Sequence, residues 1–579
     1  FSADGSWMYI VNGKSITGPN PDHLNGSTAQ MTTITYPGGN KAANDRATAS
    51  NEYQFQLEHA SLVSAPVPTS TELQGLTAVV ARNNYYSAKL NEKDAETMAF
   101  IAKHIKHVIY VVKENRTFDQ MLGDLTNGAN ADPGLAQFPQ AITPNIHALA
   151  TRYVTLDNFT NPGDGSMDGW SWAMQGRVTN TETITQQINY AAVNRGLSYE
   201  SEGSNRNVPV NWSAAADRDA AAGLTGSPYS MATQGLPGGT SNTLAGNGNH
   251  ASADAPFGAQ AGYLYRAVLN AGGTVRNYGF HVNNIGNIGT VAAPISDPFN
   301  AGAVQVGPLD PELAKLTDVY FRGFDQVYPD LWRYNEWKRE FDQYVANGNL
   351  PSLTQLRISH DHMGSFGSAF AGVTTPETQQ ADCDFATGLI VEAVANSRYA
   401  SDTIIIFTED DVQDGPDHVD SHRGPALVVG PYVKQGAVIS THFSQVNVIR
   451  TIEDILGTEH INLNTAFQRP MADVFDARSN GKWTYTAEAS TILATTKLAS
   501  ADSFNGVIRY AKGPMLQPKH NAAYWAEATK NFDFSDADQV PPAQFNRVLW
   551  KGLMGKKPYP VVRGESSGKK ADDDDRDGR

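Results

Sequence analysis

Residues 407–434 read FTEDDVQDGPDHVDSHRGPALVVGPYVK, with five aspartates, one glutamate and two histidines lying between two apolar runs. Carboxylates crowded this closely repel one another unless something positive separates them. Two other segments carry the same residue types: KENRTFDQMLG, with Glu114 and Asn115, and SHDHMGS, with His360, Asp361 and His362. A lone aspartate after a strand ordinarily forms a turn or caps a helix. The adjacent pair Asp410 and Asp411 needs a counter-charge, and the set as a whole is hard oxygen donors with a few imidazoles (His362, His418, His422). Such a set suits a divalent metal ion: Mg²⁺, Ca²⁺, Mn²⁺ or, with the histidines, Zn²⁺ or iron.

Each of these segments follows a run that reads as a buried strand. HVIYVV (107–112) precedes Glu114, SLTQLRI (352–358) precedes the histidines, and TIIIF (403–407) precedes the acidic stretch, with PALVVG (425–430) as a further strand. Helices are expected between them. PNIHALATRY is a short one, AGYLYRAVLNAGG stops at Gly272-Gly273 ahead of the strand TVRNYGFHV, a long one spans about 378–397, and SQVNVIRTIEDILG opens on Ser444 as N-cap. Alternation of this kind predicts an α/β core with a largely parallel sheet flanked by helices. In such a sheet, functional groups gather beyond the carboxyl ends of the strands.

With 579 residues the chain exceeds one simple core. Residues 1–95 read as a β-rich fragment, with strands in FSADGSWMYIVNGKS and LQGLTAVVARNNYY, and residues 96–480 as the α/β domain. Residues 200–258, rich in Gly, Ser, Asn and Ala, form an insertion; 481–564 form an extension whose amphipathic FNRVLWKGLMG docks on the core; and 565–579 are a charged tail expected to be disordered. Net charge is −16, from 44 basic and 60 acidic residues, and no Lys/Arg stripe with interleaved aromatics is present, which argues against a nucleic-acid partner. The single cysteine, Cys383, excludes an intrachain disulfide and reads as a packed thiol. No apolar run has transmembrane length. The opening at Phe1, with neither an initiator Met nor a signal peptide, suggests a processed or partial chain.

Several motifs, in order, resemble a phosphoesterase family that contains bacterial non-specific phospholipases C and a related acid phosphatase. ENRTFDQMLG is similar to the family's ENRSFDxxxG, TEDDVQDGPDHVDSHR to its T-x-D-[DE]…DHV, THFSQVNVIRTIEDILG to its S…RTIE-x-ILG, and DNFTNPGDGSMDGWSW to its DNF…S-x-DGH-x-W. The similarity runs over about 105–475. It is nearest the subgroup in which a YncE-like β-propeller precedes this domain, so residues 1–95 resemble the last blades of one.

The resemblance implies an alkaline-phosphatase-like fold and metal-dependent hydrolysis of phosphate esters, either a phosphatase or a phospholipase C-like phosphodiesterase. It makes Glu114, Asn115, Asp410 and Asp411 metal ligands and Ser166 the nucleophile. His362, in the position of the family's NDH histidine, and His418 and His422 become phosphate- or metal-proximal catalytic residues. His360 differs in type from its family counterpart, and Trp170 stands where relatives carry histidine. Phospholipid, nucleotide and small phosphomonoester remain open as substrates. An exported location and upstream propeller blades, on the same precursor or another chain, follow from the same resemblance. The alternative is an exported structural or binding protein whose metal-stabilised domain has lost turnover.

Overall fold

The computed structural model of the chain describes residues 1–12, 61–83, 90–163, 165–178, 220, 225, 263–284, 295–308, 313–413, 415–500, 504, 506–532, 534, 540 and 542–560. Apart from residues 220 and 225, the expected insertion lies outside the described residues, as does the charged tail.

Near the amino end, strands β1 (Trp7–Asn12) and β2 (Ser61–Pro66) pair antiparallel, from Trp7↔Pro66 to Asn12↔Ser61. The strand expected in LQGLTAVVARNNYY is instead part of helix α1 (Ser70–Asn83). Its start carries a Thr-x-x-Glu box: the Glu72 N–H donates to Thr69 Oγ1 at 3.3 Å and the Thr69 N–H to Glu72 Oε2 at 2.8 Å. That reciprocal cap fixes a helical first turn, and it outweighed the β-branched look of TAVV. Helix α2 (Glu92–His104) then leads into the core.

The central sheet has five strands: β3 (His107–Lys113), β6 (Val275–Tyr278), β9 (Leu353–Arg357), β10 (Thr403–Glu409) and β11 (Leu427–Val429), in the order β11-β10-β3-β9-β6. All adjacent pairs are parallel except β10–β11, so the expected α/β core with a largely parallel sheet is present. The short strands β4 (Val154–Leu156), β5 (Phe159–Thr160), β7 (Val282–Asn284) and β8 (Val306–Pro308) pair outside it. Strands β9 and β10 are buried along their whole length and β3 along all but its first residue, which requires cover on both faces. Helices supply it in two groups. Pro376–Ala395 packs on Pro144–Arg152 and Asp330–Asn347, while Gln445–Leu456 packs on α2, Ser166–Gln175 and Leu264–Asn270. In chain order these are α3 (Pro144–Arg152), α4 (Ser166–Gln175), α5 (Leu264–Asn270), α6 (Asp330–Asn347), α7 (Pro376–Ala395) and α8 (Gln445–Leu456). Ser444 starts α8 as expected, its N–H donating to Asn447 Oδ1 at 2.8 Å.

The first strand of the core, β3, lies between β9 and β10, and this order brings the three chemistry-bearing segments to one edge. Register aligns Val112 with Arg357 and Lys113 with Glu409, so the residues that follow all three strands emerge together. Helix α9 (Pro542–Met554) buries Phe545, Leu549 and Leu553 at four-residue spacing in the main core. Cys383 is buried within α7, and burial pushes its thiol far up, which fits a packed side chain.

A carboxylate fixes the start of α3. Asp384 of α7 accepts hydrogen bonds from Asn145 N (3.1 Å), Asn145 Nδ2 (2.7 Å) and Ile146 N (2.7 Å). Burial nevertheless raises its pKa from 3.8 to about 6. The folded state therefore holds the proton more tightly, so this group's contribution is full below pH 3.8 and is lost as pH rises through about 6. We expect the stability of the parent protein, relative to Asp384→Asn, to fall between those two values in urea titrations; a difference independent of pH would refute the assignment. Asp384→Ala, which leaves three buried donors unsatisfied, should cost about 2–4 kcal/mol.

Candidate functional site

The site is built from the carboxyl end of β3 outward. Lys113, the last residue of that strand, is buried with its Nζ 2.5 Å from Asp361 Oδ2 and 2.9 Å from Glu409 Oε1. Burial alone would lower its pKa, but the two carboxylates outweigh burial and hold the ammonium well above its ordinary value. Glu409 moves upward because it is buried, with Lys113 drawing it back.

Past Lys113 come Glu114, Asn115 and Arg116, all at most 1% exposed. The Glu114 N–H donates to Asp361 Oδ1 at 3.2 Å. Its carboxylate is met by Arg357, from the end of β9, through Nη2 to Oε1, and by Trp170 Nε1, which donates to the same oxygen at 3.1 Å. The Arg357 guanidinium carbon lies 4.5 Å from the Trp170 ring centroid, a cation–π contact.

Asn115 Nδ2 donates to Asp411 Oδ1 at 3.0 Å, and Ser166 Oγ donates to that same oxygen at 3.3 Å. The Gln413 N–H donates to Asp411 Oδ2 at 2.9 Å. Ser166 opens helix α4, where the Asp168 carboxylate accepts from Gly165 N at 3.2 Å. Gly169 lies so close to the acidic pair that a Cβ there would sit 2.8 Å from Asp410 O and 3.1 Å from Asp411 Cβ. Asp410 and Asp411 are wholly buried, and Gln445 Nε2 donates to the backbone oxygens of Glu409 and Asp410 at 2.8 and 2.7 Å.

The structure thus brings Asn115, Asp411 and Ser166 into direct contact, with Asp410 and Glu114 one residue away along the chain. His362 borders this group: Gln413 Nε2 is 3.3 Å from its Nε2 and Gln326 Nε2 is 2.7 Å from its Nδ1. His360 is turned away, with its Nδ1 2.6 Å from Asp382 Oδ2 and its Nε2 3.0 Å from Gln326 O, so it ties the β9 loop to α7.

His418 and His422 stand elsewhere. His418 Nδ1 is 2.5 Å from Asp119 Oδ2 and its Nε2 is 2.9 Å from Asn130 Oδ1, while His422 Nδ1 is 2.9 Å from Asp420 Oδ1. Asp119, Asp417 and His418 are close enough to share an ion. The Arg423 guanidinium already lies between the two carboxylates, with Nη2 3.0 Å from Asp119 Oδ1 and Nε 3.0 Å from Asp417 Oδ1.

Arg357 was missed in the sequence because it sits inside a strand-like run, and nothing in LTQLR marks its partner. Glu409, counted in the sequence with the acidic stretch, instead closes β10 and pairs with Lys113, a tie that no local pattern marks. The site fits a hard cation by donor type and by charge. Among the described residues, Glu114, Asp361, Glu409, Asp410 and Asp411 are buried at this edge with Lys113, Arg116 and Arg357; these eight carry an excess of two negative charges when all are ionised. Glu114 departs from the simplest expectation, because its carboxylate is engaged by Arg357 and Trp170.

No protein-family model matches the chain, and no curated protein sequence matches it. Solved structures similar to it include a protein of the alkaline phosphatase superfamily from Vibrio parahaemolyticus (13% identity, 66% of this chain and 78% of that one, TM-score 0.32). A sulfatase from Pseudoalteromonas is similar at 11% identity over 69% and 78%, TM-score 0.38. A phosphonate monoester hydrolase from Silicibacter pomeroyi is similar at 12% identity over 65% and 78%, TM-score 0.31. At these values the likeness is loose, and the functional reading rests on the site itself.

Gly169→Ala forces α4 away from the Asp410 backbone. The expected outcome is a loss of about 1–3 kcal/mol in stability, read by chemical denaturation; unchanged stability would refute the close packing of α4 on the acidic pair.

Proposed function

We propose that the chain hydrolyses phosphate esters with the help of a divalent metal ion, using Ser166 as nucleophile. The observation that carries this reading is the meeting of Ser166 Oγ and Asn115 Nδ2 on one buried oxygen, Asp411 Oδ1, at the carboxyl edge of the sheet. Asp410, Asp411 and Asn115, with Glu114 beside them, would hold the ion. When bound it supplies Lewis-acid polarisation of the ester and a lower pKa for the serine hydroxyl.

The residues of the chain have separate tasks. Asp411 accepts the Ser166 hydrogen bond and so orients the oxygen lone pairs away from itself, toward an incoming phosphorus. Attack forms an Oγ–P bond as the ester P–O bond breaks; the Ser166 proton is released to water, and the leaving group departs as an alkoxide with the P–O electron pair and takes its proton from water. Water then cleaves the phosphoserine and restores the hydroxyl. Trp170 carries no titratable proton, so it cannot protonate the leaving alcohol, and good leaving groups are favoured.

Hydrolysis of p-nitrophenyl phosphate and bis-p-nitrophenyl phosphate by purified protein tests this. Activity should disappear on chelation, return with added metal, and fall on the order of 10³-fold or more in Ser166→Ala. Trp170→His should raise turnover of alkyl esters, whose leaving groups need a proton, by on the order of 10²-fold while changing nitrophenyl esters little; equal effects on both would remove Trp170 from the leaving-group argument.

The engagement of Glu114 by Arg357 and Trp170 favours a second reading, a folded metal-binding domain without turnover. Metal-dependent thermal stabilisation with no hydrolysis of either ester would select it. In either case we propose an exported protein, with the paired strands β1 and β2 belonging to a propeller blade completed elsewhere. Among the described residues no helix is long and apolar enough to cross a membrane.

A further inference from the structure

Arg116 is wholly buried, yet among the described residues it forms no salt bridge. Its Nε donates to Asp361 O at 2.9 Å and its Nη2 to His362 O at 2.7 Å, both backbone carbonyls of the turn after β9. That turn presents its carbonyls inward because the chain reverses at once through Met363 (φ 62°) and Gly364 (φ 151°). Among the described residues its Nη1 has no hydrogen-bond partner. The remaining contacts of Nη2, to Asn115 Oδ1 and Gln413 Oε1, are both long at 3.5 Å.

A guanidinium offers two parallel-donor edges. Here the Nε/Nη2 edge is occupied by backbone, which fixes the plane. The Nη1/Nη2 edge is left without a good acceptor, and it stands next to Asn115 and Gln413. Asn115 and Gln413 both bond Asp411, and Asp411 Oδ1 bonds the Ser166 hydroxyl. The open edge is thus linked to the nucleophile through two side chains, Asn115 and Asp411.

Leaving two donors of a buried cation unsatisfied is costly and is retained where a ligand completes them. Lys113 and Arg357 are already committed to carboxylates. We propose that Arg116 binds the substrate anion, its Nη1/Nη2 edge donating to two non-bridging oxygens of the tetrahedral ester centre that Ser166 attacks. This inference rests on the phosphoesterase reading above for its substrate. The chemistry it requires is that of any tetrahedral oxyanion with two free oxygens, and inorganic phosphate is the probe.

The test is phosphate binding by calorimetry on the metal-loaded protein, alongside inhibition of nitrophenyl ester hydrolysis by phosphate. Arg116→Lys keeps the charge but loses the fork. It should weaken phosphate binding about tenfold or more and raise KM more than it lowers kcat. An Arg116→Lys protein that folds and binds phosphate as the parent does would overturn the proposal.

Should the variant fail to fold, the unsubstituted protein labelled with ¹⁵N-arginine decides. A guanidinium resonance that moves on addition of phosphate supports the clamp, and none moving at saturation overturns it. Phosphate binding that depends on Arg116, with no ester hydrolysis, would keep the clamp and discard the hydrolytic reading; hydrolysis indifferent to Arg116→Lys would do the reverse.

Discussion

The ammonium of Lys113 is the interaction on which the site depends. It ends the central strand and reaches two carboxylates, Glu409 at the end of one neighbouring strand and Asp361 in the turn after the other. One buried cation thus ties three chain segments at the edge where they stop being a sheet. The backbone agrees with the side chains, since the Asp410 N–H donates to Lys113 O at 2.9 Å and carries the parallel ladder one residue past the strand. Removing one member of a buried ion pair typically costs about 3–5 kcal/mol, because the partners stay buried and uncompensated. Asn115 and Asp411 meet only because both chains leave that edge in register.

A second consequence concerns Glu114. Its carboxylate is compensated by Arg357 and receives the Trp170 indole N–H, while Arg357 is stacked against that indole. The three side chains form one unit in which the tryptophan occupies a position where a histidine would bring a titratable proton. An indole N–H can orient a carboxylate but does not ionise near neutral pH. Structural support for Glu114 is therefore separated from acid catalysis in this chain.

The strands and most helices were legible because their signals are local: unbroken β-branched runs for buried parallel strands, and caps such as Ser444 for helices. Helix α1 was misread because TAVV looks extended, although Thr69 and Glu72 spelled out a capping box. The meeting of Asn115, Asp411 and Ser166 was anticipated from motif order, which records that the segments co-occur but not how side chains point. That is why His418 and His422, seven and eleven residues beyond Asp411 in the same loop, were grouped with it. The loop turns, so that His418 Nδ1 meets Asp119 and His422 Nδ1 meets Asp420. Arg357 was less visible still, because the partner of a buried arginine is set by tertiary register.

The balance of charge at Ser166 decides what the chain can do unaided. A hydroxyl at the start of α4 gains from the helix dipole, worth about 0.3–1 kcal/mol for a neighbouring anion and up to about 2 when partly buried. Against it stands Asp411, whose carboxylate oxygen at 3.3 Å opposes an alkoxide by about 5 kcal/mol for a dielectric near 20. The repulsion is the larger effect, so Asp411 alone keeps Ser166 protonated and aimed. Only added positive charge reverses that order. The all-oxygen donors of Asp410, Asp411 and Asn115 are suited to recruiting it, while Arg116, short of acceptors among the described residues, would on our proposal receive the anion that Ser166 attacks.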